Sequence, residues 1–260
     1  MKIFKSESLV DYNSYTFNYA IYCIKESQKE IPEIYNKGFL PYSNNINLDQ
    51  ETYYLARSLR VDLVDFKTSS ENRRVAKKIA PLHPEFKIIP IDDFDVNETG
   101  FQNFCMDFAA KRFTAEISEE RLNYILNAKS ISHIFEFLLE GIKVGYVITI
   151  IESGTLHYWF AFFSLEYQEF SLGKWIMQSV IHWASENNLD HVYLGSCYGV
   201  KSLYKVRDFK GLSFFDGNKW NKDVKLLKVK CKTDSEFIHD DFKQDTDQFL
   251  NNLPNILKKY

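Results

Sequence analysis

Two short basic stretches hold the residue types best suited to gripping an anion. In KTSSENRRVAKK, residues 67–78, five basic residues stand against Glu71 alone, and Arg73 and Arg74 are adjacent. A guanidinium takes phosphate or carboxylate through two parallel N–H bonds, so this pair suits an anionic group if its helix opens into a cleft. The alternative is an ordinary solvated face. Lys201 and Lys205 flank Tyr204 and stand four apart, one turn if the segment is helical. Such a set would hold phosphate while the tyrosine stacks on a base or hydrogen-bonds an ester. Tyr193 could turn its hydroxyl into a cleft or, equally, belong to the core as a strand residue, and Tyr198 follows in the next loop. Cys197 has no neighbouring histidine to activate it. His157, inside the apolar run TLHYWFAFF, reads more readily as core than as a base. No spacing suits Ser–His–Asp chemistry. Cys23, Cys105, Cys197 and Cys231 lie far apart with no CxxC pair, so neither a metal site nor a disulfide framework is expected.

The chain has 260 residues, 45% of them hydrophobic, and a formal net charge of −3. That composition excludes wholesale disorder and allows one large domain or two small ones. The charge is segregated: residues 201–232 carry ten basic residues against Asp208, Asp216 and Asp223, whereas DSEFIHDDFKQDTD at 234–247 is acidic. A segregated chain presents a basic face despite its net negative charge; two solvated surface strips account for it as well as an anionic partner such as RNA or a phosphorylated ligand does, and charge alone does not choose between them. The acidic tail is a candidate to cover that face. No apolar run reaches the roughly 18–20 residues that span a bilayer, and the N-terminus lacks a signal-peptide pattern. A cytoplasmic protein with no membrane partner is therefore expected.

These groups must be positioned by regular elements. Pro32 and Gly38 suit the start and stop of a short helix over 31–38. Alternation in YYLARSLRVDLVDF predicts a half-buried strand over 53–66, with Arg60 and Asp62 on its polar side. Ser69 and Ser70 would cap a helix over ENRRVAKKIA that Pro81 and Pro84 end. Helices are expected over 101–113 and 118–128. Three consecutive strands follow at 134–139, 143–151 and 155–163, turning at Glu140–Gly141 and Ser153–Gly154. A long amphipathic helix begins after Ser171, its expected N-cap, with Leu172, Trp175, Ile176, Val180 and Trp183 on one face. Short strands are expected at 191–194 and 224–229, and a weak helix over 236–260. This order predicts an α+β protein with a mixed sheet flanked by helices, divided as an N-terminal region 1–100, a core 101–232 and an acidic helical tail 233–260.

Strand–strand–strand–helix–strand resembles the Gcn5-related N-acyltransferase fold. RVDLVDFKTSSENRRVAKK resembles a stretch of arginyl-tRNA–protein transferases and bacterial aspartate/glutamate leucyltransferases, matching at Arg60, Phe66, Ser70, Arg73, Arg74 and Val75. SLGKWIMQSVIHWASENNLDHVYLG is similar to that family's long helix and Tyr-Leu-Gly strand end. GVKSLYKVRDFKGLSFFDGNKW is similar to its Lys-x-x-Tyr-Lys element, through Lys201, Tyr204 and Lys205, and to its closing Gly-x-x-Trp at Gly217–Trp220. The family's cysteine pairs are missing; one would fall on Tyr53 and Ala56.

The resemblance implies transfer of an amino acid, of the Arg or Leu class, from aminoacyl-tRNA to the N-terminal amine of a protein or peptide, the N-degron reaction. No cofactor is implied beyond the tRNA co-substrate. Arg73, Arg74, Lys201, Lys205 and Tyr198 would bind substrate, and Tyr193 and Tyr204 would line the reacting centre. Two alternatives stay open. An acyl-CoA-dependent N-acyltransferase would use acetyl-CoA, although Glu169 and Phe170 sit where a Gly-rich pyrophosphate turn belongs. A non-catalytic protein binding RNA or peptide termini would use the same cleft.

Overall fold

The computed structural model describes residues 1–11, 16–43, 46–48, 50–113 and 117–236. In chain order the elements are β1 (Lys2–Asp11), β2 (Thr16–Ile24), α1 (Ile31–Asn36), β3 (Phe39–Pro41), β4 (Thr52–Leu55), β5 (Ser58–Asp62), α2 (Ser70–Ile79), β6 (Pro84–Pro90) and α3 (Thr99–Arg112). Then come α4 (Glu119–Leu126), β7 (His133–Leu139), β8 (Ile142–Glu152), β9 (Thr155–Phe163), α5 (Leu172–Glu186), β10 (His191–Ser196), β11 (Leu212–Phe215), β12 (Trp220–Asn221) and α6 (Val224–Glu236). They fall into two compact units. One comprises Met1–Ser58, Ser196–Leu203 and Phe214–Tyr260, the other Leu59–Gly195 and Tyr204–Ser213.

The first unit holds an antiparallel sheet in the order β1–β2–β4–β3. An aromatic cluster of Phe4, Tyr22 and Tyr42 packs on it, with ring centroids 5.6–5.7 Å apart. α6 replaces the strand expected at 224–229. Asp223 Oδ1 accepts from the backbone N–H groups of Lys225 and Leu226 at 2.9 and 3.0 Å, which starts a helix. The two fully buried apolar residues, Leu227 and Cys231, are then four apart, a helical spacing, while Val229 stays exposed. The burial follows the helical period rather than the alternation of a strand. All of the helix expected over 236–260 except Glu236, and with it most of the acidic cover, lies outside the described residues.

The second unit is the α+β core. Its sheet runs β11–β5–β10–β9–β8–β7–β6. β6, β7, β8 and β9 pair antiparallel in succession, and β9 pairs parallel with β10, so the sheet is mixed. The expected turns are present, with Glu140, Gly141, Ser153 and Gly154 all at positive φ. Register assigns the faces. Phe86, Phe135 and Phe137 share one face, where Trp183 and Trp175 of α5 meet Phe135 and Phe137 edge-on at 5.2 and 5.3 Å. Ile134, Tyr146, Ile148 and Phe162 share the other and pack with α3 and α4. β6 was not expected. It is an edge strand bounded by Pro84 and Pro90, where a missing N–H is tolerated.

The single strand expected over 53–66 is two strands in different sheets, β4 and β5, and every residue of β5 is buried. Arg60 and Asp62 go inside because they satisfy each other. Ser171 occupies the expected N-cap position of α5 but caps without its side chain: it sits at φ 61°, and its carbonyl accepts from Lys174 and Trp175 N–H. Ser69 does cap α2, its hydroxyl accepting from Asn72 N–H at 3.1 Å.

Candidate functional site

The sheet opens between β9 and β10. Their parallel pairing covers His191↔Thr155, Val192↔Leu156 and Tyr193↔His157 and ends there among the described residues, while β9 continues along β8 to Phe163. Gly195, just past the split, has φ +80°, and Lys205 Nζ lies 3.5 Å from where a Cβ on it would be. That left-handed backbone favours glycine, and the missing side chain lets an ammonium stand close to the strand. Lys205 Nζ also lies 5.9 Å from the centroid of the Tyr204 ring, which is 55% exposed. His157, at the last paired position of β9 and β10, is buried. Burial first, and the Lys205 charge second, push its imidazole down to about 3, so it is neutral at working pH.

Tyr193 is fully buried beside the split, on the same sheet face as His157. Its hydroxyl accepts from Arg60 Nη1 at 3.3 Å. Arg60 Nε donates to Asp62 Oδ1 at 2.6 Å, and Ser213 Oγ donates to Asp62 Oδ2 at 3.0 Å. His191 Nδ1 is 3.2 Å from the same carboxylate. Burial alone would raise the Asp62 carboxyl, but the His191, Arg60 and Ser213 contacts outweigh it and hold the group below the ordinary carboxylate range. Burial pushes the Tyr193 phenol up to about 12, so it keeps its proton. The network stiffens β5 and β10 on one side of the split.

α2 and the start of α5 carry a second ionic group. Arg74 grips Glu71 bidentately at 2.7 and 2.8 Å, and Lys174 Nζ reaches Glu71 Oε1 at 2.8 Å and Asp208 Oδ2 at 3.2 Å. These bonds from Arg74 and Lys174 pull the Glu71 carboxyl down to about 2. The one cation in the first turn of α5 is thus already shared between two carboxylates. Arg73 is exposed, with its Nη1 donating to Thr68 O at 3.1 Å.

Of the residues singled out in the sequence, Tyr193, Tyr204 and Lys205 come together around the split, and Arg73 and Arg74 lie on α2. Tyr198 and Lys201 belong to the first unit. There the Tyr198 hydroxyl accepts from Arg57 N–H at 2.7 Å, and the Arg57 guanidinium stacks 4.7 Å over its ring. Arg57 also holds Asp234 bidentately at 2.6 and 3.2 Å. Lys201 is exposed. Sequence reasoning missed Asp62, His191, Lys174 and Glu71 as site-shaping residues. One signal was present: an Arg and an Asp two apart inside an apolar run must share a face and, if that face is buried, must pair. Among the described residues no group of three or more His, Cys, Asp or Glu could hold a metal ion, and no helix is long and apolar enough to cross a membrane.

Residues 124–205, from α4 through the Lys201–Lys205 segment, match the family model described as an acetyltransferase (GNAT) domain. The fold is of that type, a mixed sheet flanked by helices. L-PGS from Bacillus licheniformis is similar over 67% of this chain and 51% of its own, at 14% identity and a TM-score of 0.42. FemX is similar over 81% and 67%, at 10% identity and a TM-score of 0.42. A ribosomal-protein alanine N-acetyltransferase from Escherichia coli is similar over 40% and 63%, at 13% identity and a TM-score of 0.30. The chain thus spans about half the length of L-PGS. No curated protein sequence matches it.

Proposed function

We propose that this chain is an acyltransferase whose donor is an aminoacyl-tRNA and whose acceptor is the N-terminal amine of a protein or peptide. The observation that carries the reading is the split between β9 and β10, with Lys205 at Gly195 and the exposed Tyr204 beside it. An opened strand pair offers backbone N–H groups to an acyl carbonyl, and a nearby ammonium favours the oxyanion formed on attack. The neutral amine attacks the ester carbon, the C–N bond forms and the C–O bond to the ribose breaks. The amine proton leaves to solvent as the ribose oxygen takes one up. An α-amine titrates near 7.7–8.0, so only a weak base is needed, and the ester is activated already. Tyr204 stacks on the terminal base and Lys205 holds its phosphate or the oxyanion. Tyr193 acts from behind, as the hydroxyl that fixes Arg60 along the split. The residue matches at Arg60–Val75 and Lys201–Lys205 support an Arg- or Leu-class donor.

The acetyltransferase match over residues 124–205 favours a second reading, N-acylation from acetyl-CoA. Against it, Lys174 is taken by Glu71 and Asp208, and Glu169 adds a further negative charge before α5. Pyrophosphate would meet three carboxylates where it needs free cations.

One assay separates the readings. Purified protein is offered tRNA charged with labelled amino acids and, in parallel, labelled acetyl-CoA. The acceptors are peptides beginning with Asp, Glu, Arg, Lys or Ala. Label passing from tRNA to peptide, and lost in Lys205→Ala, supports the proposal. Label passing from acetyl-CoA alone replaces it with the second reading. Transfer from neither leaves RNA or peptide binding without catalysis.

A further inference from the structure

A groove of about 380 Å³ lies between α2 and α5, on the sheet face opposite the Arg60–Tyr193 network. Gln178 of α5 lines it and is only 7% exposed, yet its Oε1 finds no hydrogen-bond donor among the described residues. A buried carboxamide oxygen left unpaired is costly, so it calls for a donor that the described residues do not supply. Around it the groove has three characters. Phe86 and Trp183 supply flat apolar walls. Arg73 supplies a cation at the α2 side, beside Thr68, whose hydroxyl lies 3.4 Å from His182 Nε2. Burial lowers the His182 pKa, so Arg73 remains the positive group there. Glu186 is the one carboxylate of the lining, eight residues beyond Gln178 on α5 or about 12 Å along the helix.

We infer that this groove binds a small aromatic carboxylate bearing an O–H or N–H donor. The donor meets Gln178 Oε1, the ring lies between Phe86 and Trp183, and the carboxylate meets Arg73. A volume near 400 Å³ with apolar walls and a few fixed polar groups is the ordinary form of a small-ligand site. The site is independent of the transfer reaction: it needs no acyl donor, and its test reads binding alone.

The probes are 4-hydroxyphenylacetate, phenylacetate, which lacks the donor, and tyramine, which lacks the carboxylate. Each is titrated into the full chain by ligand-observed NMR. The expected result is saturable binding of 4-hydroxyphenylacetate, with phenylacetate and tyramine each at least about tenfold weaker. Gln178→Leu brings 4-hydroxyphenylacetate and phenylacetate to within about twofold of each other without lowering Tm, because it removes an unpaired buried acceptor. Arg73→Met, at an exposed position where folding is not at stake, weakens both carboxylates and leaves tyramine unchanged. Absence of saturable 4-hydroxyphenylacetate binding overturns the inference. So does equal binding of 4-hydroxyphenylacetate and phenylacetate to the unaltered chain, or a Kd indifferent to both substitutions.

Discussion

Replacing Asp62 by Asn keeps the side chain's shape and removes its charge, and the surroundings determine what that costs. Asp62 accepts from Arg60 Nε at 2.6 Å and Ser213 Oγ at 3.0 Å, with His191 Nδ1 at 3.2 Å. Arg60 is 8% exposed and Asp62 6%. An amide keeps one acceptor oxygen, so part of the hydrogen bonding survives, but the Arg60 charge is left buried without its counter-charge. Removing one partner of a buried pair costs about 3–5 kcal/mol, a large share of the 5–15 kcal/mol that stabilises a typical domain. At about 2–4 °C per kcal/mol for a chain of this size, Tm should fall by roughly 10 °C. Urea unfolding followed by far-UV circular dichroism, with Tm from the same signal, measures both. The double variant Arg60→Met/Asp62→Leu removes both charges and should recover at least half of the loss, since an apolar pair of similar volume often replaces a buried ion pair at little cost. The pH dependence has a definite sign. A carboxyl held below its unfolded value near 3.9 contributes stability above that pH and loses it as pH falls through the lower folded value. Asp62→Asn should therefore lose its penalty relative to the unaltered chain at strongly acid pH. A Tm within 2 °C of the unaltered chain at pH 7, or a double variant no more stable than the single one, would refute the buried-pair reasoning.

His157, pushed down to about 3 mainly by burial, is neutral in the folded chain, whereas an unfolded histidine takes up a proton near 6.5. Between those values the unfolded state binds more protons, so stability falls as pH drops below 6.5, by roughly 1.4 kcal/mol per pH unit for this group. Urea midpoints between pH 4 and 7 should slope accordingly, and His157→Gln should flatten the slope by about one proton; an unchanged slope contradicts the buried neutral assignment. All four cysteines are buried, and burial pushes Cys23 up to about 11, so a thiol reagent should label none in minutes at pH 7.5 and all four in urea. Rapid labelling of any in the native chain would show that its cover opens. The double variant Glu71→Gln/Asp208→Asn should release Lys174 and Arg74 and bind inorganic pyrophosphate at least several-fold more tightly than the unaltered chain by calorimetry. No gain would mean that the two carboxylates are not what guards the start of α5.

Periodicity alone determined the core elements: three strands with glycine turns, then a helix whose apolar residues recur at 172, 175, 176 and 180, because burial on one face leaves its repeat in the chain. Ser69 and Ser118 announced their helices for a local reason, a hydroxyl that satisfies the N–H groups three residues on. Cationic residues and Tyr204 were also visible as chemistry. Partners distant in the chain were not. β5 and β4 read as one half-wet strand because alternation reports only a residue's type, and Arg60 and Asp62 looked solvated until Tyr193, His191 and Ser213 surrounded them. α6 read as a strand because its buried repeat, Leu227 and Cys231, is only two residues long. The split at Tyr193↔His157, the capture of Lys174 by Glu71 and Asp208, and the unpaired oxygen of Gln178 are likewise tertiary facts. A residue's type sets what it can bind; burial and the groups brought from elsewhere in the chain decide what remains free to bind it.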